Sequence, residues 1–197
     1  MIRALYGGSF DPIHAGHVAV ARTLLQRGLA DRVHVMPASQ SPFKPNSNAT
    51  TGEDRLRLVE LALAQEPAVI VEDREIRRAG TSYTVDSLSR LVIEYPDDQW
   101  RLVVGADNVA DFMRWRDPQR LLSLAEPVVI ARGPIDLQPP LEQALVVDDF
   151  QHPATATMIR RELSAGRMPG PELLPTAVAD DIIAHGLYGW SGLDPRP

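Results

Sequence analysis

Two of the chain's five histidines, His14 and His17, stand three residues apart in GGSFDPIHAGH, residues 7 to 17, among three glycines and an Asp-Pro pair. If a helix begins near His14, side chains at i and i+3 share one face, so both rings can point at one group. An imidazole near a helix N-terminus donates an N–H to an anion, and an ordinary pKa of about 6.5 leaves it partly cationic. Phosphate binding is the chemistry this pair suits. Two blander readings compete with it, a capping histidine and a zinc pair. Zinc needs a third or fourth ligand, and no acidic residue or histidine stands at suitable local spacing. Gly7 and Gly8 let the backbone approach a ligand, Asp11-Pro12 forms a turn, and Gly16 lets the helix start pack closely. Neither GxGxxG nor GxxxxGK followed by Ser or Thr occurs, which excludes the dinucleotide fingerprint and the P-loop.

A second stretch, HPATATMIRREL at residues 152 to 163, reads as a helix start with Thr155 or Thr157 as the cap. Arg160 and Arg161 then fall near the positive end of that helix, where a cation is unfavourable by some tenths of a kcal/mol unless something negative sits there. An anion resolves the conflict. Solvent and Glu162 are the alternative.

These residues need a scaffold, and the chain alternates between strand-length apolar runs and helical spacing. The runs are Ile2 to Tyr6, Val33 to Pro37, Val69 to Glu72, Trp100 to Val104, Val128 to Ala131 and Leu145 to Val147. Nearly continuous apolar character marks strands buried on both faces. Helical spacing runs from Val18 to Leu25, Arg55 to Leu63 and Val85 to Ile93, and Ala110 to Leu124 reads as one broken helix or two short ones, interrupted at Pro118. The alternation predicts a doubly wound α/β fold, with a mainly parallel sheet and helices on both faces. From about Pro153 only helical segments remain, Met158 to Ser164 and Thr176 to Ala184, and these are expected to cover the open side of the sheet. Ser39 to Gly52 and Gly133 to Pro140 read as loops. One domain over residues 1–197 is expected, with 153–197 as its helical C-terminal part. In such a sheet the turn after the first strand is the usual phosphate site, and GGSFDPIHAGH occupies it.

Composition narrows the partners. A formal net charge of −6 over 197 residues gives no positive field for a nucleic acid or an anionic membrane. A small anion is still compatible, because a helix N-terminus and a few placed cations can bind one. The chain has no cysteine, which removes disulfides, thiolate metal sites and cysteine nucleophiles. Gly7-Gly8 arrives before any apolar signal core develops and no run is long enough to span a membrane, so a cytoplasmic location is expected.

Taken in order, GSFDPIHAGH, SPFKP, SYTVDSL, GADN, FMRWRDPQRLL, VIARG and TATMIRRELSAG resemble the bacterial nicotinate-nucleotide adenylyltransferases over nearly the whole chain. The first motif is shared by the wider nucleotidyltransferase superfamily; SYT, Phe112 with Trp115, and TATMIR favour the nicotinate branch. The resemblance implies transfer of an adenylyl group from ATP to nicotinate mononucleotide, giving deamido-NAD and pyrophosphate. It assigns His14, His17, Lys44 and Arg160 to catalysis. By the same resemblance Gly8, Ser9, Phe10, Gly105, Asp107, Thr155 and Thr157 would contact ATP, and Thr84 and Trp115 the pyridine nucleotide; from its place at the end of the fifth strand Arg132 would touch a phosphate, and Arg116, next to Trp115, would bind the pyridine nucleotide with preference for the acid. Magnesium would be held mainly by substrate phosphates, with no metal site in the protein. The chain departs from the family pattern at Ala156, which lacks a hydroxyl, at Phe43, where a histidine is usual, and at Arg116. Alternatives are a pantetheine-phosphate type of adenylyltransferase and a non-catalytic nucleotide-binding regulator.

Overall fold

Runs of β-branched and apolar residues form six strands: β1 (Ile2–Gly8), β2 (Arg32–Pro37), β3 (Val69–Val71), β4 (Gln99–Gly105), β5 (Glu126–Ile130) and β6 (Leu145–Val147). The computed structural model that shows them describes residues 1–40 and 49–192. The strands make one sheet in the order β3-β2-β1-β4-β5-β6, with every neighbouring pair parallel. Eight α-helices accompany it among the described residues: α1 (Ala15–Gln26), α2 (Gly52–Leu63), α3 (Arg74–Arg78), α4 (Thr84–Glu94), α5 (Ala106–Val109), α6 (Pro118–Leu124), α7 (Ala156–Ser164) and α8 (Thr176–His185).

The period of two along each strand divides the core. Ala4, Val103 and Val128 face one apolar cluster, while their neighbours Leu5, Leu102, Val104 and Val129 face the other. Helices α1, α2, α7 and α8 fill the first cluster with Leu24, Leu58, Ile159 and Ile182; α4 and α6 fill the second with Leu88, Leu91 and Leu121. Both faces are covered, as the near-continuous apolar strands require.

The C-terminal helices α7 and α8 pack on the face of the sheet that α1 and α2 also cover, in one cluster with Val103, Val128, Ile130 and Val147. Of the two readings of residues 110 to 124, two short segments are found, and Pro118 starts the second, because proline at the first helical position loses no intrahelical bond. Asp117 caps that helix by accepting the Arg120 amide at 3.2 Å, and a 3-10 turn at Phe112–Arg114 stands ahead of it. The stretch from Gly133 to Pro140 has no helix or strand, yet Ile135 and Leu137 pack against the second cluster beside buried Leu141. The short helix α3 had no periodic signal at five residues.

Candidate active site

The strand order reverses between β1 and β4, and ligands in such sheets bind beyond the carboxyl ends of the strands at that point. There β1 ends at Gly8 and β4 at Gly105, and a cleft of about 860 Å³ opens beyond them. A Cβ on Gly7 would project into open space, so the bare backbone there leaves room. The turn that follows carries the first histidine as the N-cap of α1, in extended conformation at φ −145° and ψ 171°. His17 lies one turn on, and the two rings stack with centroids 3.6 Å apart and planes 20° from parallel.

Backbone geometry selects the form of His17. The His14 amide donates to His17 Nδ1 at 3.2 Å, so a neutral His17 carries its proton on Nε2. Phe10 packs edge-on against the His17 ring at 5.0 Å and against Tyr6 at 5.4 Å. Burial pushes His14 down to about 4, with help from His152 and Arg132; burial, His14 and His152 push His17 well below its ordinary value. The expectation of partly cationic rings is thereby corrected. At neutral pH they are neutral N–H donors, because burial and stacking penalise the charged form.

The C-terminal segment meets this turn directly. Arg160, on the first turns of α7, donates from Nη1 to the Asp11 carbonyl at 2.6 Å and from Nη2 to Thr157 Oγ1 at 3.4 Å. Thr155 is the cap of α7, accepting the Met158 amide at 3.2 Å. A carbonyl therefore offsets part of the unfavourable placement of Arg160 near a positive helix end. Arg161 instead points outward, 82% exposed, with Glu162 at 4.0 Å. Arg132 and His152 also line the cleft, and His152 Nδ1 accepts the Ala154 amide at 3.2 Å.

Residues 5–162 match the cytidylyltransferase-like family. A Marinobacter nauticus protein described as "Probable nicotinate-nucleotide adenylyltransferase" is 35% identical over 211 residues, covering 95% of this chain and 97% of its own. A Bordetella avium protein of the same description is 36% identical over 194 residues, covering 93% and 96%. The chain belongs to the nicotinate-nucleotide adenylyltransferase family. Its fold is also that of Plasmodium falciparum nicotinic acid mononucleotide adenylyltransferase solved with NaAD, at a TM-score of 0.80 and 18% identity over 96% of this chain and 98% of that one.

Thr84, Trp115 and Arg116, which the sequence suggests for the pyridine nucleotide, line the same cleft. Thr84 opens α4, and Trp115 follows the 3-10 turn with its ring 5.3 Å from Phe112. Among the described residues the buried Trp115 Nε1 has no hydrogen-bond partner. Arg116 lies over the Tyr83 ring at 4.7 Å and donates to Asp86 Oδ2 at 3.4 Å. Asp107 sits in the first turn of α5, so near Gly105 that a Cβ there would stand 2.6 Å from Asp107 Oδ1. Gly8, Ser9 and Phe10 all border the cleft, although Phe10 is only 2% exposed and acts mainly by supporting the His17 ring. Lys44 and Phe43 lie outside the described residues. No group of three or more His, Cys, Asp or Glu side chains placed to hold a metal ion occurs among the described residues.

Two residues escaped the sequence reading. Arg55 is fully buried, donating from Nη1 to the Ser9 carbonyl at 2.6 Å and from Nη2 to the Ser39 carbonyl at 3.0 Å. Its signal was present: it occupies the apolar stripe of α2 that continues at Leu58 and Val59. His152 had only its place three residues before the Thr155 cap to mark it.

Proposed function

We propose that this protein joins ATP to nicotinate mononucleotide, forming nicotinate adenine dinucleotide and releasing pyrophosphate. One observation supports this most: Arg160 reaches the turn that presents His14 and His17, so donors from both ends of the chain surround one cleft. The attacking phosphate oxygen of the mononucleotide forms a new bond to the α-phosphorus of ATP. The bond from that phosphorus to the oxygen bridging to the β-phosphate breaks, and pyrophosphate leaves with the electron pair. A phosphate monoester is already anionic at neutral pH, so no general base is required. That accounts for a cleft rich in donors.

Catalysis is then alignment and stabilisation of charge on the transferred group. The Nε2–H of His17 and the ring of His14 face the phosphates, and Arg132 and Arg160 supply full positive charge. Gly8 and Ser9 shape the turn, Thr155 and Thr157 line the α7 side, Gly105 leaves room for Asp107 to meet the ribose, and Lys44 adds a further cation. Asp11 and Asp107 each have one carboxylate oxygen engaged, with the Ala49 amide at 2.7 Å and Asn108 Nδ2 at 3.3 Å. They stand on separate turns, a donor set that fits magnesium carried in by substrate phosphates. When bound, that ion neutralises phosphate charge. Trp115 stacks on the pyridine ring, Thr84 borders it, and Arg116 adds preference for the acid over the amide. A cytoplasmic setting belongs to this proposal and rests on the sequence.

The test is pyrophosphate release from magnesium-ATP with nicotinate mononucleotide, its amide, phosphopantetheine and flavin mononucleotide as acceptors. The fastest turnover is expected with nicotinate mononucleotide, and His17→Ala should lower it about 10²- to 10³-fold with the fold intact. Preference for another acceptor refutes the substrate, and no turnover with any acceptor refutes the enzyme.

A further inference from the structure

In residues 152 to 163 the threonines and Arg160 make up the anion site, and His152 stands beside them without a role. Its ring lines the cleft, and its Nδ1 lies 3.2 Å from where a Cβ on Gly16 would stand. The same Cβ would lie 3.0 Å from the His14 ring. Gly16 stands between His14 and His17 in sequence, so imidazoles from both ends of the chain meet around one bare backbone position.

The orientation of His152 follows the rule that governs His17. Each ring accepts a backbone amide at Nδ1 over 3.2 Å, from Ala154 and from His14 respectively. Each neutral ring therefore keeps its proton on Nε2, as a donor. Among the described residues the Nε2 of His152 has no hydrogen-bond partner. The charged and titratable groups around it are His14 and His17 on α1 and Arg132 after β5. Burial and Arg132 hold His152 below its ordinary value, so the neutral form predominates at neutral pH.

We propose that His152 is a third imidazole donor to the phosphate chain of the bound nucleoside triphosphate, contributing a neutral Nε2–H. This rests on reading the cleft as a nucleoside triphosphate site. Calorimetric titration with magnesium-ATP tests it on His152→Ala, His152→Asn and His152→Gln. Asparagine retains an acceptor near Nδ1 but has nothing at the Nε2 position; glutamine places an N–H near Nε2. Alanine and asparagine are expected to weaken magnesium-ATP binding about 10- to 100-fold. Glutamine should stay within about threefold of the wild type, and the KM for nicotinate mononucleotide should not change. Wild-type binding by the asparagine variant overturns the proposal, as does an equal loss for the mononucleotide or a failure of glutamine to restore binding. Binding is read without turnover, so the two readings separate. A wild-type chain that loses magnesium-ATP affinity on His152→Ala yet transfers to no acceptor keeps this assignment and removes the reaction; normal binding and turnover by His152→Ala does the reverse.

Discussion

Substituting Gly16 by alanine should separate activity from stability, because the atoms it would meet belong to the His14 and His152 rings rather than to backbone. The added Cβ would lie 3.0 Å from His14 Cε1 and Nδ1 and 3.2 Å from His152 Nδ1. Carbon contacts are comfortable at about 3.5–4.0 Å, so both rings must give by several tenths of an ångström. Gly16 is inside α1 and has no left-handed backbone conformation, so alanine gains about 1 kcal/mol of helix propensity. Overpacking costs about 1–3 kcal/mol, which leaves a net loss of about 0–2 kcal/mol. Typical domain stability of about 5–15 kcal/mol absorbs that. Turnover has no such reserve: a misplacement of about 1 Å can cost about 100-fold, so Gly16→Ala should lose about 10- to 100-fold in kcat/KM for ATP. Urea unfolding and continuous pyrophosphate release measure the two quantities. Turnover within twofold of wild type would show that the ring positions do not control the reaction, and a stability loss above about 3 kcal/mol would show that the backbone moved instead.

Three further outcomes follow from the same geometry. Arg55→Met leaves the Ser9 and Ser39 carbonyls without this donor, and at about 1–3 kcal/mol for each is expected to cost about 2–6 kcal/mol in urea unfolding; a loss under about 1 kcal/mol would refute its role as a clamp. The depressed pKa of His14 makes stability fall with acid: the unfolded chain takes up a proton near 6.5 and the folded one near 4. Its contribution is complete above 6.5 and declines to nothing as pH falls through about 4, at most about 3 kcal/mol in all. His14→Asn should therefore flatten the dependence of Tm on pH between 7.5 and 4.5, and an unchanged slope would contradict the burial argument. Arg116→Ala should lower the ratio of acid to amide activity only about two- to fivefold, because its guanidinium is more than half exposed and shared with Asp86; a full ratio retained by the variant excludes it from selectivity.

The strands were legible because parallel strands buried on both faces must be apolar at nearly every position, and all six apolar runs are strands of the sheet. The histidine pair was legible through its spacing and its glycines, and its turn does meet Arg160 beyond β1. Residue type alone would have misled. His34 is more deeply buried than either, but it lies in β2 with Nδ1 on Glu72 at 2.7 Å and Nε2 3.1 Å from Arg3 Nη1, a satisfied interior group away from the cleft. What stayed hidden was long-range: no local pattern says that Arg55 will reach the Ser9 carbonyl or that His152 will come beside Gly16. Charge state was hidden for the same reason, since burial sets it and burial is a property of the assembled fold.

That hidden charge state bears on how a chain of net charge −6 holds a triphosphate. A site built wholly from lysine and arginine would suffer cationic self-repulsion whenever it stood empty. Here the described donors divide into two kinds: Arg132 and Arg160 carry positive charge, while His14, His17 and His152 are kept neutral by burial, with Arg132 adding to the effect at His14 and His152 and the adjoining rings at His17. A polyanion among the rings opposes that depression and raises their proton affinity. Binding of magnesium-ATP near pH 6 should then take up protons. Titrations in buffers of different ionisation enthalpy read this directly as a dependence of the observed heat on the buffer. The dependence should shrink in His17→Ala. Heats that do not vary with the buffer would mean that the rings stay neutral throughout, acting by hydrogen bonds alone.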